Sequence, residues 1–221
     1  MEYPTLPAER LLRRHRYTRK RRLIVLFSLL AIVLAAAVPL AISLCRDHDA
    51  PAPPSVEWRT AAVPSWIEQD FIRVGGSSRS GAALQAFHDI VIHYVGNPGT
   101  TAKQNRNYFD NPDSSVSSHF IVGLDGEIVQ CLPLSEVSAA SNHRNSDTVS
   151  IEVCHPDGTG KFNDATYQSL LKLVNWLLDI GGLSPERVIR HYDVTGKECP
   201  RYYVRNPEAW EQFLLDVAAY R

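Results

Sequence analysis

The sequence predicts an α/β domain in which a small mixed central β-sheet is flanked by helices, preceded by one N-terminal transmembrane helix. Three observations predict it. Short runs rich in β-branched and aromatic residues recur between residues 89 and 154, two amphipathic helical patterns follow them, and an uncharged stretch occupies residues 23–45. With 221 residues, 44% hydrophobic and 21% charged, the chain has room for one ordinary domain plus an appendage.

Taken in chain order, residues 1–22 carry eight Lys/Arg against Glu2 and Glu9. The remainder holds 15 basic against 22 acidic residues, a balance that argues against a nucleic-acid-binding body. "LIVLFSLLAIVLAAAVPLAISLC" (23–45) follows the basic arm. As a helix rising ~1.5 Å per residue it covers a hydrocarbon core of ~30 Å, and Pro39 near its outer end is tolerated in a membrane helix. The positive-inside rule places the basic segment in the cytoplasm and the rest outside it. The competing readings are a cleaved signal peptide, for which the apolar run is long, and a lipid-modified Cys45, for which Leu44 is a poor neighbour. Residues 46–62 are rich in Pro and Ala and read as a linker, so the folded domain is expected from Val63 to the end.

Within that domain "DIVIHYV" (89–95), "SHFIVGL" (118–124), "EIVQCLPL" (127–134) and "TVSIEVC" (148–154) read as strands. Asp125-Gly126 between the second and third is a hairpin signal. "TTAKQNRNYF" (100–109) reads as a short helix. Tyr167, Leu170, Leu171, Val174, Leu177 and Leu178 recur at helical spacing, with Asn163 or Asp164 as N-cap and Gly181-Gly182 as the stop. "ERVIRH" reads as a short strand, and "PEAWEQFLLDVAAY" (207–220) as a closing helix with Pro207 in its first turn.

The polar residues that carry chemistry sit at the ends of these elements. His93 sits late in the first strand, His191 ends "ERVIRH", and Cys199 follows in the loop "DVTGKECP". Two imidazoles and a thiolate would make a three-ligand zinc site with its fourth position open to water, the arrangement of a catalytic zinc. Spacing alone does not decide this, because His-x7-Cys matches no compact finger pattern and a lone buried His or Cys is usually structural.

Four motifs in order, "IVIHYVGNPGTTA", "VSSHFIVGLDGEIVQCLPL", "TVSIEVC" and "VIRHYDVTGKECP", resemble the zinc-dependent N-acetylmuramoyl-L-alanine amidases of the type-2 family. That family includes phage endolysins and is related to peptidoglycan recognition proteins. The resemblance runs from about Ile67 to the last helix. It implies Zn2+ as cofactor with His93, His191 and Cys199 as ligands, Glu152 as general base or acid, and Lys197 as a stabiliser of the oxyanion. Some phage members place a catalytic Tyr just before the His of "HF"; Ser118 stands there in this chain, which leaves Glu152 for the role. The resemblance also implies that the loop of His143, Asn145 and Asp147 touches substrate, with His119 either lining the groove or supporting the metal shell. Without the family, these loop residues read as a turn and Glu152 as a strand carboxylate facing away from Ile151 and Val153.

The implied reaction is hydrolysis of the amide between N-acetylmuramic acid and L-alanine in peptidoglycan, by a monomer. A module that binds the muramyl peptide without cutting it, and a zinc peptidase acting within the stem peptide, are the alternatives. Cys131 and Cys154 read as small apolar residues on strands, not as a disulfide. His88, His155 and His48 read as surface residues.

Overall fold

The protein is described by a computed structural model covering residues 58–220. The expected segments 1–22 and 23–45, and the linker as far as residue 57, lie outside the described residues. Among the described residues no helix is long and apolar enough to cross a membrane. Folded structure begins ahead of Val63. Trp58, in a single helical turn (Trp58–Thr60), packs edge-on against Phe87 at 5.7 Å, and the Arg59 guanidinium donates to the carbonyls of Leu84 and Gln85.

Six strands form one sheet: β1 (Ile67–Gln69), β2 (Asp89–Tyr94), β3 (Phe120–Val122), β4 (Ile128–Gln130), β5 (Thr148–Val153) and β6 (Val188–Arg190). Their order is β1-β4-β3-β5-β2-β6, with every neighbouring pair parallel except β3 and β4. That antiparallel pair is the hairpin expected at Asp125-Gly126. Gly126 adopts φ +83°, and a Cβ there would stand 2.7 Å from Ser169 Oγ and 3.0 Å from the Ala165 carbonyl, so the turn needs glycine for conformation and for space. β1 has no counterpart in the sequence reading.

Among the described residues the sheet is joined by the helices α1 (Ala102–Phe109), α2 (Asp164–Gly181), α3 (His191–Thr195), α4 (Arg201–Arg205) and α5 (Pro207–Ala219). Thr101 caps α1 through a capping box with Gln104. Asn163 caps α2, its side-chain oxygen accepting from the Thr166 amide at 2.9 Å, and Gly182 ends it in the left-handed conformation. The stretch expected to end as a strand at His191 instead passes into α3 at that residue. The Arg190 amide donates to the Asp193 side chain at 2.8 Å, a local cap that fixes the switch.

The two faces of the sheet differ, and the difference positions the chemistry. Leu170, Leu173, Val174 and Leu177 of α2 pack against Ile90, Ile92, Val149, Ile151 and Val153 in the main core. Because side chains alternate along a strand, Val91, His93, Ser150 and Glu152 point to the opposite face. There a smaller cluster of Ile72, Ala102, Phe109, Ile121 and Val129 fills one side under α1. Cys131 and Cys154 belong to that cluster as buried free thiols, which burial pushes up to about 12.

Candidate active site

His93 and Glu152 are neighbours in the parallel register of β2 and β5, so two adjacent strands bring an imidazole and a carboxylate side by side on one face. β6 lies against the other edge of β2 and delivers His191 beside His93, with ring centroids 4.5 Å apart. After α3 the chain turns back at Gly196. The Tyr192 amide donates to the Cys199 carbonyl at 2.9 Å, which places Cys199 Sγ 3.9 Å from His93 Nδ1.

His93, His191 and Cys199 are 2%, 5% and 3% exposed, and each offers a ligand atom within 4.8 Å of the others. A tetrahedral zinc with such ligands separates them by roughly 3.5 Å, so the cluster needs only a small contraction. Buried polar atoms are normally satisfied, yet His93 Nε2, His191 Nδ1 and Glu152 Oε2 have no hydrogen-bond partner. Unpartnered ring nitrogens on two buried histidines that sit with a buried thiol are donors suited to a cation. Burial first, then neighbouring positive charge including Lys197, holds both imidazoles below their ordinary pKa, so they are neutral donors of lone pairs. Burial raises Cys199 to about 12, so this thiol ionises only against a cation. The donor set therefore fits zinc.

Glu152 is partly exposed as a residue, but its Oε2 is sealed from water. Burial raises the carboxyl to about 8, opposed by the charge of Lys197. It is thus a carboxyl poised near neutrality, as a proton carrier requires. Lys197 is exposed, and its field acts on His93, His191, Cys199 and Glu152 together.

A family model described as N-acetylmuramoyl-L-alanine amidase matches residues 84–202, more than half of the chain. The chain belongs to the type-2 N-acetylmuramoyl-L-alanine amidase family. Among relatives of this amidase domain, XlyA of Bacillus subtilis (strain 168) is 34% identical over 157 residues, covering 68% of this chain and 50% of XlyA. CwlL of Bacillus licheniformis is 29% identical over 168 residues, covering 68% and 46%. The chain spans about half the length of the curated relatives it matches. The solved structure of the catalytic domain of XlyA superimposes with a TM-score of 0.59 at 30% identity, covering 68% of this chain and 98% of that domain.

Within the amidase domain, the residues expected to contact substrate fall into different roles. His119 does not line the groove. It is fully buried, its Nδ1 accepting from the Ser150 amide at 3.1 Å and its Nε2–H donating to the Glu136 carbonyl at 2.9 Å. Both ring nitrogens are spent on joining β5 to the loop that follows β4. Asn145 Oδ1 accepts from the amides of Ala140 and Ser141, and Asp147 pairs with Arg144 and His88, so both brace their own loop. His143 alone of the three is exposed on the turn Asn142–Arg144. His155, expected at the surface, is 1% exposed and stacks on Tyr94 at 5.1 Å. Ser118 is buried and donates to the Phe120 carbonyl at 2.7 Å.

Two residues of this loop went unread in the sequence. Arg144 reaches Asp89 at the start of β2 as well as Asp147. Asn142 Oδ1 lies 2.9 Å from His191 Nε2. The only local signal for Asn142 is that asparagine tolerates the left-handed backbone it adopts, φ +54°.

Proposed function

We propose that this chain is a zinc-dependent peptidoglycan hydrolase that cleaves the amide between N-acetylmuramic acid and the L-alanine of the stem peptide. The observation that carries this reading is the buried His93–His191–Cys199 cluster with Glu152 beside it on the neighbouring strand. The relatives' names, all N-acetylmuramoyl-L-alanine amidases, supply the bond. His93, His191 and Cys199 would hold the zinc, which would supply Lewis-acid chemistry at the amide carbonyl. Glu152, with its carboxyl near neutrality, takes the proton of the attacking water and passes it to the leaving amine. Lys197 sets a positive charge where the oxyanion develops. His143, exposed on its turn, is the loop residue available to contact the muramyl peptide.

All of these groups come from one chain, so a monomer suffices. Residues 23–45 form a single membrane span, with the amidase domain on the extracytoplasmic side where its substrate lies. The deciding experiment is mass spectrometry of peptidoglycan digested by the full-length chain. Free stem peptides that begin at L-alanine, with glycan strands intact, establish the reading; peptides cut within the stem, or no release, overturn it.

A further inference from the structure

We infer that Asn142 is a positioning residue for the proposed metal site: its amide oxygen locks the His191 imidazole in the tautomer that aims the Nδ1 lone pair at His93 and Cys199. The contact spans 49 residues of sequence and joins the turn Asn142–Arg144 to the first residue of α3. An amide oxygen can only accept, so the proton of a neutral His191 must reside on Nε2. Nδ1 then carries the lone pair, and Nδ1 is the ring nitrogen that is buried without a partner, in a residue clustered with His93 and Cys199.

The backbone shows that this contact is built. Asn142 is the one non-glycine residue with positive φ among the described residues, a conformation that costs roughly 1–2 kcal/mol for an ordinary L-residue and least for asparagine. The loop is made to hold it there. Asn145 Oδ1 accepts from Ala140 and Ser141, the residues just before Asn142, and Arg144 just after it is tied to Asp147 and Asp89. The strain is located at the residue whose side chain reaches His191. A partner on the far nitrogen of a metal-binding histidine fixes ring orientation and strengthens the ligand, and its loss typically weakens metal binding 10- to 100-fold.

The consequence for metal rests on the proposed zinc site; the tautomer does not. The test uses the full-length chain in detergent and two variants. Asn142→Gly keeps the left-handed backbone and deletes the acceptor, whereas Asn142→Asp keeps both. Zinc affinity by chelator competition is expected to fall roughly 10- to 100-fold in the glycine variant and to stay within about threefold of the parent in the aspartate variant. In zinc-free protein labelled with 15N-histidine, His191 is expected as a fixed Nε2–H tautomer in the parent and as an averaging ring in Asn142→Gly. A parent His191 carrying its proton on Nδ1 overturns the inference, whatever becomes of the variants. So does Asn142→Gly with parental zinc affinity, or Asn142→Asp as weak as glycine, which would assign the effect to the loop and not to the acceptor. If the parent binds no zinc, the functional reading fails and the tautomer measurement alone decides this one.

Discussion

Glu152→Gln tests the site through two observables that the same burial links. Glutamine is nearly isosteric, touches no proposed ligand and cannot ionise. Burial raises the Glu152 carboxyl from 4.5 to about 8, which corresponds to a penalty of about 5 kcal/mol on its charged form, a ceiling for a residue whose rim meets solvent. The sign follows from proton counting. Between pH 4.5 and 8 the folded state binds more protons than the unfolded chain, so the stability this group contributes is intact below 4.5 and is lost as pH rises through 8. Glutamine carries no such loss. In zinc-free full-length protein, denaturant unfolding should give similar stabilities for parent and variant near pH 4.5. By pH 8.5 the variant should be the more stable, by a few kcal/mol. Activity should move the other way. The variant should keep its zinc yet release stem peptides at least about a hundredfold more slowly, the usual contribution of a general acid–base group. Parental turnover would remove Glu152 from the mechanism. Equal stabilities at pH 8.5 would show that its carboxylate is hydrated and not poised by burial. His119 offers no substitute proton carrier, because both its nitrogens are engaged.

Cys199→Ser replaces a soft thiolate with a neutral hydroxyl, so zinc content by atomic emission and peptide release should fall together; full activity in a zinc-depleted variant would refute the cluster as the metal site. His119 is lowered by burial to about 4, so the unfolded chain binds its proton first as pH falls from 6.5. About 3 kcal/mol of stability, complete above pH 6.5, should therefore be lost on approaching pH 4, and His119→Gln should flatten that slope in unfolding titrations. Gly126→Ala forces a Cβ to 2.7 Å from Ser169 Oγ at φ +83° and should destabilise by more than about 1 kcal/mol in thermal unfolding, with zinc affinity unchanged. Leu177→Ala, at the fully buried face of α2, should cost about 2–5 kcal/mol by the same measurement.

What the sequence discloses follows the reach of its signals. β2, β3, β4 and β5 announce themselves because β-branched runs are bounded by turn residues, and α2 because its apolar stripe is long and capped at both ends. β1 is three residues, "IEQ", too short for any period to show. α3 is hidden for a different reason: "HYDVT" contains β-branched residues and a strand precedes it, so only the Arg190–Asp193 cap turns it helical. At the site, His93, His191, Cys199 and Glu152 are legible as reactive types in recognisable words. Asn142 is not, since its meaning depends on a loop that returns to α3 from 49 residues away. His119, Asn145 and Asp147 are engaged by partners within the chain, and a polar side chain in a groove-side motif looks the same in sequence whether it meets a ligand or another part of its own chain.

The pairing of His93 with Glu152 across β2 and β5 divides the site into a hard half and a compliant half. These two side chains inherit their spacing from ladder hydrogen bonds, and a slip of one residue in either strand would turn that strand's His93 or Glu152 towards the hydrophobic core and expose Ile92 or Ile151 instead. Partial misalignment is thereby forbidden: the strands are either in register with the chemistry assembled or out of register and unfolded. His191 and Cys199 belong to short segments with no such ladder, so they can settle around an ion. A domain built this way can exchange its loops without retuning the distance between Glu152 and His93.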